Sequence, residues 1–366
     1  MAIPLCEYFG KCGGCSGQHI DYTLQLENKK NRLSKVTNFS EVKVFSAKEY
    51  HYRNRIDFFF YPGGIGLRDK SGKIIAVEKC VIAEEGINEL LSEVKDYFLK
   101  NNLFNLNTPK STFLSVTIRV THCNDSGLCF VLNENSPLLD QGVEAIKSFS
   151  KQSSAKNILI NVGASLDTIN YAEELLIKGE NKLEEKYLGK TFYHPLNSFF
   201  QNNFVLAEKM QEQVHALLES YGTTSSYLLD LYAGVGTFGI INANLFKAVT
   251  LIENVSSAIA MAKLNIIKNE VKNAEALVLD AKHLRRIKFK QPLWVITDPP
   301  RSGMEMQTIQ QIKELKPIVL IYISCNLEQL RKDLLKFKNY KVNSVALFDL
   351  FPQTLHAEAV VELVRG

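Results

Sequence analysis

The sequence predicts an α/β chain with a doubly wound parallel sheet at its carboxy-terminal end, an α+β region before it and a cysteine-rich segment at the start. Three observations carry this. From residue 228 onward, short apolar runs alternate with helical stretches, the pattern of βαβ units. Several of these runs end in a glycine-bearing or acidic loop, which is where open parallel sheets place their ligands. At the other end, Cys6, Cys12 and Cys15 form C-x5-C-x2-C around Gly13-Gly14.

The chain has 366 residues, too many for one ordinary domain. We expect three segments: 1–83 with the cysteines and a basic strand, 84–195 as a central α+β domain, and 196–366 as a Rossmann-like domain. A net charge of +4 is compatible with nucleic acid without demanding it, since a local patch decides binding. No apolar run approaches the roughly 20 residues that span a bilayer. The start lacks the regions of a signal peptide. Seven cysteines in such a chain fit reduced thiols, metal ligation or catalysis in the cytoplasm better than a disulfide framework.

In the first segment, Gly13-Gly14 lets two sulfurs turn toward one centre. Cys80 is the natural fourth ligand for Cys6, Cys12 and Cys15. Four thiolates suit zinc or an iron–sulfur cluster, and spacing alone leaves both open. His19 reads as a hydrogen-bonding residue under the loop. Ile20, Leu24, Leu26 and Leu33 predict a short helix with a basic flank. Tyr52-Arg53-Asn54-Arg55 opens a strand over 56–61 that ends at the turn Pro62-Gly63-Gly64. Its arginines can hold RNA phosphates or line a solvated edge. Between 84 and 189, strands are expected over 113–121, 128–132 and 157–162 and helices over 87–99 and 138–149, with Cys123 and Cys129 as packing residues.

The last segment is more specific. A strand over 228–232 leads into Ala233-Gly234-Val235-Gly236, where glycines let backbone approach a ligand closely. The next strand ends at Glu253, placed to accept hydrogen bonds from ribose hydroxyls. Ser256 is the expected cap of a helix over 257–268. Strands over 276–279 and 294–297 end at Asp280, facing an adenine amino group, and at Asp298-Pro299-Pro300-Arg301, a loop stiffened by its prolines. The run 317–322 leads to Ser324-Cys325-Asn326, and a strand over 344–347 precedes the segment that ends at Glu358. Gly234, Glu253, Asp280, Asp298 and Cys325 therefore share one sheet edge. A thiol there becomes a nucleophile if the site helps it lose its proton.

Taken together, Phe200-Gln201-Asn202-Asn203, Asp230-Leu231-Tyr232-Ala233-Gly234-Val235-Gly236, Asp298-Pro299-Pro300-Arg301, Ser324-Cys325-Asn326 and Phe351-Pro352-Gln353-Thr354-Leu355-His356-Ala357-Glu358 resemble the RNA uracil-C5 methyltransferases, which make 5-methyluridine. The cysteine segment and Tyr52-Arg53-Asn54-Arg55 resemble the branch that carries a [4Fe-4S] cluster and lacks the TRAM barrel. The resemblance implies a Rossmann-like S-adenosylmethionine-dependent domain. It further implies that Gln201, Tyr232, Glu253 and Asp298 contact S-adenosylmethionine, alongside Gly234 and Asp280 read from the strand ends above, that Cys325 is the nucleophile and Glu358 the base, and that Cys6, Cys12, Cys15 and Cys80 hold the cluster. Ala233, Leu327 and Gln353 depart from the usual pattern, and Gln353 replaces a frequent histidine. The expected partner is RNA, with 23S ribosomal RNA favoured over the T-loop of transfer RNA, and a monomer is the default. The competing class is a non-enzymatic, cluster-bearing RNA-binding protein, which would not need the ordered cofactor edge.

Overall fold

A computed structural model describes residues 2–107, 111–164 and 173–366. The chain forms two compact units, each assembled from separated stretches. The first comprises Met1–Asp21, Lys48–Glu185 and Pro195–Phe204; the second comprises Tyr22–Ala47, Lys186–His194 and Val205–Gly366. This differs from the three consecutive segments expected. The cysteine segment and the central region share one unit, whereas helix Tyr22–Thr37 and strand Lys43–Phe45 join the carboxy-terminal sheet. Pairing between distant strands, which local sequence patterns do not report, sets the division.

The first unit is built on a seven-stranded sheet in the order Ile74–Ala76, Gly64–Arg68, Arg55–Tyr61, Phe113–Val120, Ser126–Asn133, Asn157–Gly163, Glu173–Lys178. Its pairs are antiparallel except for Ser126–Asn133 with Asn157–Gly163. Pro62-Gly63 closes the first hairpin, with Gly63 at φ 91°, a conformation glycine adopts without steric cost. Helix Glu85–Lys100 buries Ile87, Leu90, Leu91, Val94 and Phe98, the expected apolar stripe. Phe98 stands edge-on to Phe113 at 4.8 Å within an aromatic core that includes Phe60 and Phe130.

The second unit holds an eight-stranded sheet in the order Lys43–Phe45, Tyr340–Phe348, Glu358–Arg365, Val319–Ser324, Leu293–Thr297, Tyr227–Leu231, Ala248–Glu253, Ala274–Val278. Every pair is parallel except those of Glu358–Arg365, which runs antiparallel to both neighbours. The central strands Val319–Ser324 and Leu293–Thr297 are buried throughout, as their apolar runs require. Strand order reverses at Tyr227–Leu231, whose sequence successor lies on one side and Leu293–Thr297 on the other. That switch point opens the ligand crevice of such sheets. Among the described residues no helix is long and apolar enough to cross a membrane.

Two local expectations change. Helix Tyr22–Thr37 turns Gln25, Lys29, Leu33 and Thr37 inward, while Leu24 is 47% exposed. Its buried face is therefore largely polar, which an apolar-periodicity reading could not find. Ser256 begins its helix without capping it through its side chain. The amides ahead of that helix are taken by Glu253 instead, whose Oε1 accepts from the N–H groups of Asn254 and Val255 at 2.8 and 3.0 Å.

Gly239 sits where a Cβ would lie 2.1 Å from Leu251 Cδ2 and 3.1 Å from Asp230 Oδ2. Gly239→Ala should therefore lower stability by about 1–3 kcal/mol through overpacking, read as a fall in thermal midpoint. An unchanged midpoint would show that this contact is slack.

Candidate active site

The loop after Tyr227–Leu231 has an unusual backbone: Tyr232, Gly234 and Gly236 have φ of 59°, 55° and 89°. A Cβ at Gly234 would meet no protein atom within 4 Å. Glycine is thus called for there by the backbone angle and not by packing. Two bonds to the next strand fix the loop, from Ala233 N–H to Ile252 O at 3.1 Å and from Gly234 N–H to Glu253 Oε2 at 3.2 Å. Beneath it, buried Asp230 accepts from Gly239 N–H at 2.8 Å. Burial pushes the Asp230 carboxyl up to about 8, and Asp298 and Glu253 add to this. Asp280 lies beyond the end of its strand, where its carboxylate accepts from Lys282 N–H at 3.0 Å and pairs with Lys282 Nζ at 2.8 Å.

Cys325 follows Val319–Ser324 directly. Ser324 stands opposite Ala359 in the antiparallel pair, so the register carries Cys325 to the level of Glu358. The thiol is half-exposed and Glu358 is 3% exposed. Asp298 ends the adjacent strand and donates its N–H to Leu231 O at 3.3 Å. Arg301, in the same loop, approaches His356 Nδ1 with Nη2 at 3.2 Å, and its carbonyl accepts from Asn326 Nδ2 at 2.9 Å. Asn326 also caps helix Leu327–Leu334 by accepting from Gln329 N–H. Ser-Cys-Asn is therefore a unit: Asn326 fixes both the turn after the thiol and the loop that brings Arg301.

Electrostatics tie these groups together. Burial pushes the Cys325 thiol up to about 12, Glu358 and Asp298 push the same way, and Arg301 opposes them. Burial, then Asp298, holds Glu358 well above the usual carboxylate range, and burial raises Asp298 to about 7. A buried carboxyl raised by a neighbouring carboxylate in this way favours a cation beside it. A positively charged sulfonium beside the glycine loop meets that requirement, so the residues present fit S-adenosylmethionine.

In the first unit, Cys6, Cys12, Cys15 and Cys80 line one cavity of about 320 Å³, together with Gln18, Arg53, Arg68, Lys70 and Lys79. Gln18, 1% exposed, accepts from Cys6 N–H through Oε1 at 3.0 Å. The residue bonding beneath the loop is thus Gln18; His19 is exposed and lies against Phe9. Burial pushes the Cys15 thiol up to about 11, and the other three cysteines add to the shift. Among the described residues, however, no group of three or more His, Cys, Asp or Glu is arranged to hold a metal ion. The expected metal centre is therefore not seen as a preformed ligand group among the described residues.

Gln201 falls in the first unit, where its carbonyl accepts from Asn54 Nδ2 at 3.3 Å and that of Asn202 from Asn54 N–H at 3.0 Å. Two motifs far apart in sequence, around Asn54 and Gln201, are thereby joined. Tyr232, Gly234, Glu253, Asp280, Asp298, Cys325 and Glu358 all belong to the second unit. Sequence reasoning assigned no role to Arg301, Asn326 or His356, although all three stand inside motifs it singled out.

The fold and this thiol–carboxylate edge define an S-adenosylmethionine-dependent methyltransferase. The tRNA (Uracil-5-)-methyltransferase family model matches residues 21–366, and the chain belongs to that family. It is 29% identical to the tRNA (uracil(54)-C(5))-methyltransferase of Pyrococcus abyssi, over 99% of this chain and 86% of that protein. An uncharacterized RNA methyltransferase of Caldanaerobacter subterraneus subsp. tengcongensis is 32% identical, over 97% and 83% of the two chains. The crystal structure of the Pyrococcus abyssi tRNA (uracil-54, C5)-methyltransferase in complex with S-adenosyl-L-homocysteine superposes with a TM-score of 0.81 at 28% identity, covering 96% of this chain and 86% of that one. This chain is an S-adenosylmethionine-dependent RNA uracil-C5 methyltransferase.

With Cys325 as nucleophile and Glu358 as base, the roles proposed below, their raised proton affinities fix the sign of the pH dependence. The reactive forms, thiolate and carboxylate, both gain population as pH rises. At saturating methyl donor, single-turnover methylation should climb steadily from pH 6 to pH 9, and a plateau below pH 7 would contradict the electrostatics. Arg301→Met removes the cation that opposes the shift and should slow that step and move its rise to higher pH, read from the same profile.

Proposed function

We propose that the protein methylates C5 of a uridine in the T-loop of transfer RNA, with Cys325 as nucleophile and Glu358 as base. The observation that carries this is the placement of Cys325 at the level of Glu358, with Asp298 and Arg301 close enough to shift its proton affinity. The named relatives act on uracil 54 of transfer RNA, and none of them supports the earlier preference for 23S ribosomal RNA.

C5 of uracil is too weak a nucleophile to take a methyl group unaided. The Cys325 thiol first loses its proton to solvent, and the Arg301 cation favours the thiolate that remains. The thiolate bonds to C6, and the C5=C6 electrons move onto C5 and O4. S-adenosylmethionine supplies an electrophilic methyl group that C5 can take. Glu358 then removes the C5 proton; the C–H pair re-forms the double bond, and the C6–S bond breaks to return the thiolate. Around the donor, Tyr232 and Gly234 would line its approach and Asp280 would meet the adenine. Glu253 would take the ribose hydroxyls while its carboxylate also holds Gly234, Asn254 and Val255. The target base must leave its stack to reach this edge.

In the first unit, Cys6, Cys12, Cys15 and Cys80 would hold a four-iron, four-sulfur cluster, supported by their shared cavity. Methylation moves no net electrons, so such a cluster would serve structure or RNA docking. Arg53, Arg68, Lys70 and Lys79 around that cavity suit both anionic partners.

Cys325→Ala should abolish methylation and leave affinity for S-adenosylmethionine unchanged; retained turnover would remove the nucleophile assignment. Glu358→Gln should stall as a covalent RNA adduct visible as a gel shift, and its absence would count against the base. Transfer RNA should be methylated and a variant lacking the T-loop uridine should not, whereas methylation of ribosomal RNA alone would reverse the substrate reading. Protein purified without oxygen should carry about four iron and four sulfide per chain, lost in Cys12→Ser. Metal-free active protein would exclude the cluster.

A further inference from the structure

Within the second unit, the polar face of helix Tyr22–Thr37 grips one loop. Lys29, 6% exposed, pairs with the fully buried Asp349 at 2.6 Å and donates to Phe351 O at 3.1 Å. Tyr22 donates its hydroxyl to the other Asp349 oxygen at 3.0 Å. One turn along, Gln25 and Gln353 are joined twice: Gln25 Nε2 donates to Gln353 Oε1 at 3.0 Å, and Gln353 N–H donates to Gln25 Oε1 at 3.1 Å. Gln353 is 1% exposed and has φ of 64°, a conformation that non-glycine residues rarely adopt and that needs surrounding structure to hold it.

The gripped loop runs from Asp349 to Ala357 and joins two antiparallel strands whose last pair is Phe348 with Glu358. It therefore delivers Glu358. Inside it, Thr354 Oγ1 donates to Phe351 O at 2.8 Å and accepts from His356 N–H at 3.2 Å, and His356 lies beside Arg301. Packing alone would be served as well by apolar residues at 25 and 29, because a buried ion pair rarely adds stability over a hydrophobic replacement of similar volume. What charges and amides add is a fixed geometry.

We propose that Lys29 and Gln25, with Tyr22, are positioning residues that lock the 349–357 loop and so set the Glu358 carboxylate against the C5 proton of the methylated adduct. The proposal rests on the reading of Glu358 as base. The lock acts on one step, in which Glu358 takes the C5 proton, C5=C6 re-forms and the C6–S bond breaks onto Cys325. It also gives Gln353 a role: its side-chain Oε1 accepts from Gln25 Nε2 while its backbone N–H donates to Gln25 Oε1, and it handles no proton.

The test resolves the steps in Gln25→Ala and Lys29→Met, using full-length protein, transfer RNA and S-adenosylmethionine. Decay of the covalent adduct should slow at least about tenfold and adduct should accumulate during turnover, with adduct formation and S-adenosylmethionine affinity within about twofold of the parent. Parent-like decay would overturn the proposal. So would a parallel fall in affinity, formation and decay, which marks a merely structural role. If Lys29→Met does not fold, Gln25→Ala decides, since it strands no buried charge; failure of Gln25→Ala to fold would itself assign the contact to folding. Glu358→Gln, run alongside, separates the two readings. Trapping in Glu358→Gln without slowed decay in the helix variants removes only the lock, whereas no trapping in Glu358→Gln removes the base.

Discussion

Removing a thiol and two carboxylates from water into one corner of the sheet is unfavourable, and much of the second unit is arranged around that constraint. Burial leaves Cys325, Glu358 and Asp298 each holding a proton more tightly than it would in water, and neighbouring carboxylates add to this at Cys325 and Glu358. Arg301 is the cation that opposes this at the thiol, and a sulfonium donor would bring another. In the proposed mechanism, the corner becomes reactive when a positively charged methyl donor and an electron-poor ring enter it. It is not built to carry a free thiolate at rest.

Sheet topology makes the corner possible. In a parallel sheet the carboxy-terminal ends of the strands share one edge, which brings Cys325, Asp298 and the glycine loop together. A parallel last strand would deliver its own final residues there. Because Glu358–Arg365 is antiparallel, it delivers its first residue instead, straight from a nine-residue loop. Glu358 is therefore only as well placed as that loop, and helix Tyr22–Thr37 holds the loop through buried polar bonds.

The features legible in the sequence were those written locally. Apolar runs located the strands Tyr227–Leu231, Leu293–Thr297 and Val319–Ser324 to within about two residues, and the polar residues after them marked the edge. The pairing of Asn54 with Gln201 and Asn202 was hidden, because nothing in either stretch points across so long a separation. The same holds for Lys29 and Asp349, 320 residues apart. A helix that buries lysine and glutamine reads in sequence as a solvated face, since apolar periodicity assumes that the inward side is greasy. One signal was available: Gln25, Lys29, Leu33 and Thr37 recur every four residues, a stripe that stands out once polarity is set aside. Edge strand Lys43–Phe45 was too short to see and joins the sheet only through its parallel neighbour.

The central claim is that sulfur 325 bonds to uracil C6 before C5 accepts a methyl group. Transfer RNA carrying 5-fluorouridine at the target position tests it directly, because fluorine cannot leave as the proton does and the last step is blocked. Mass spectrometry of the digested complex with unaltered enzyme and S-adenosylmethionine should find a methylated, fluorinated nucleotide bound to the peptide containing Cys325. A complex with no covalent nucleotide, or one attached at another residue, would contradict the account.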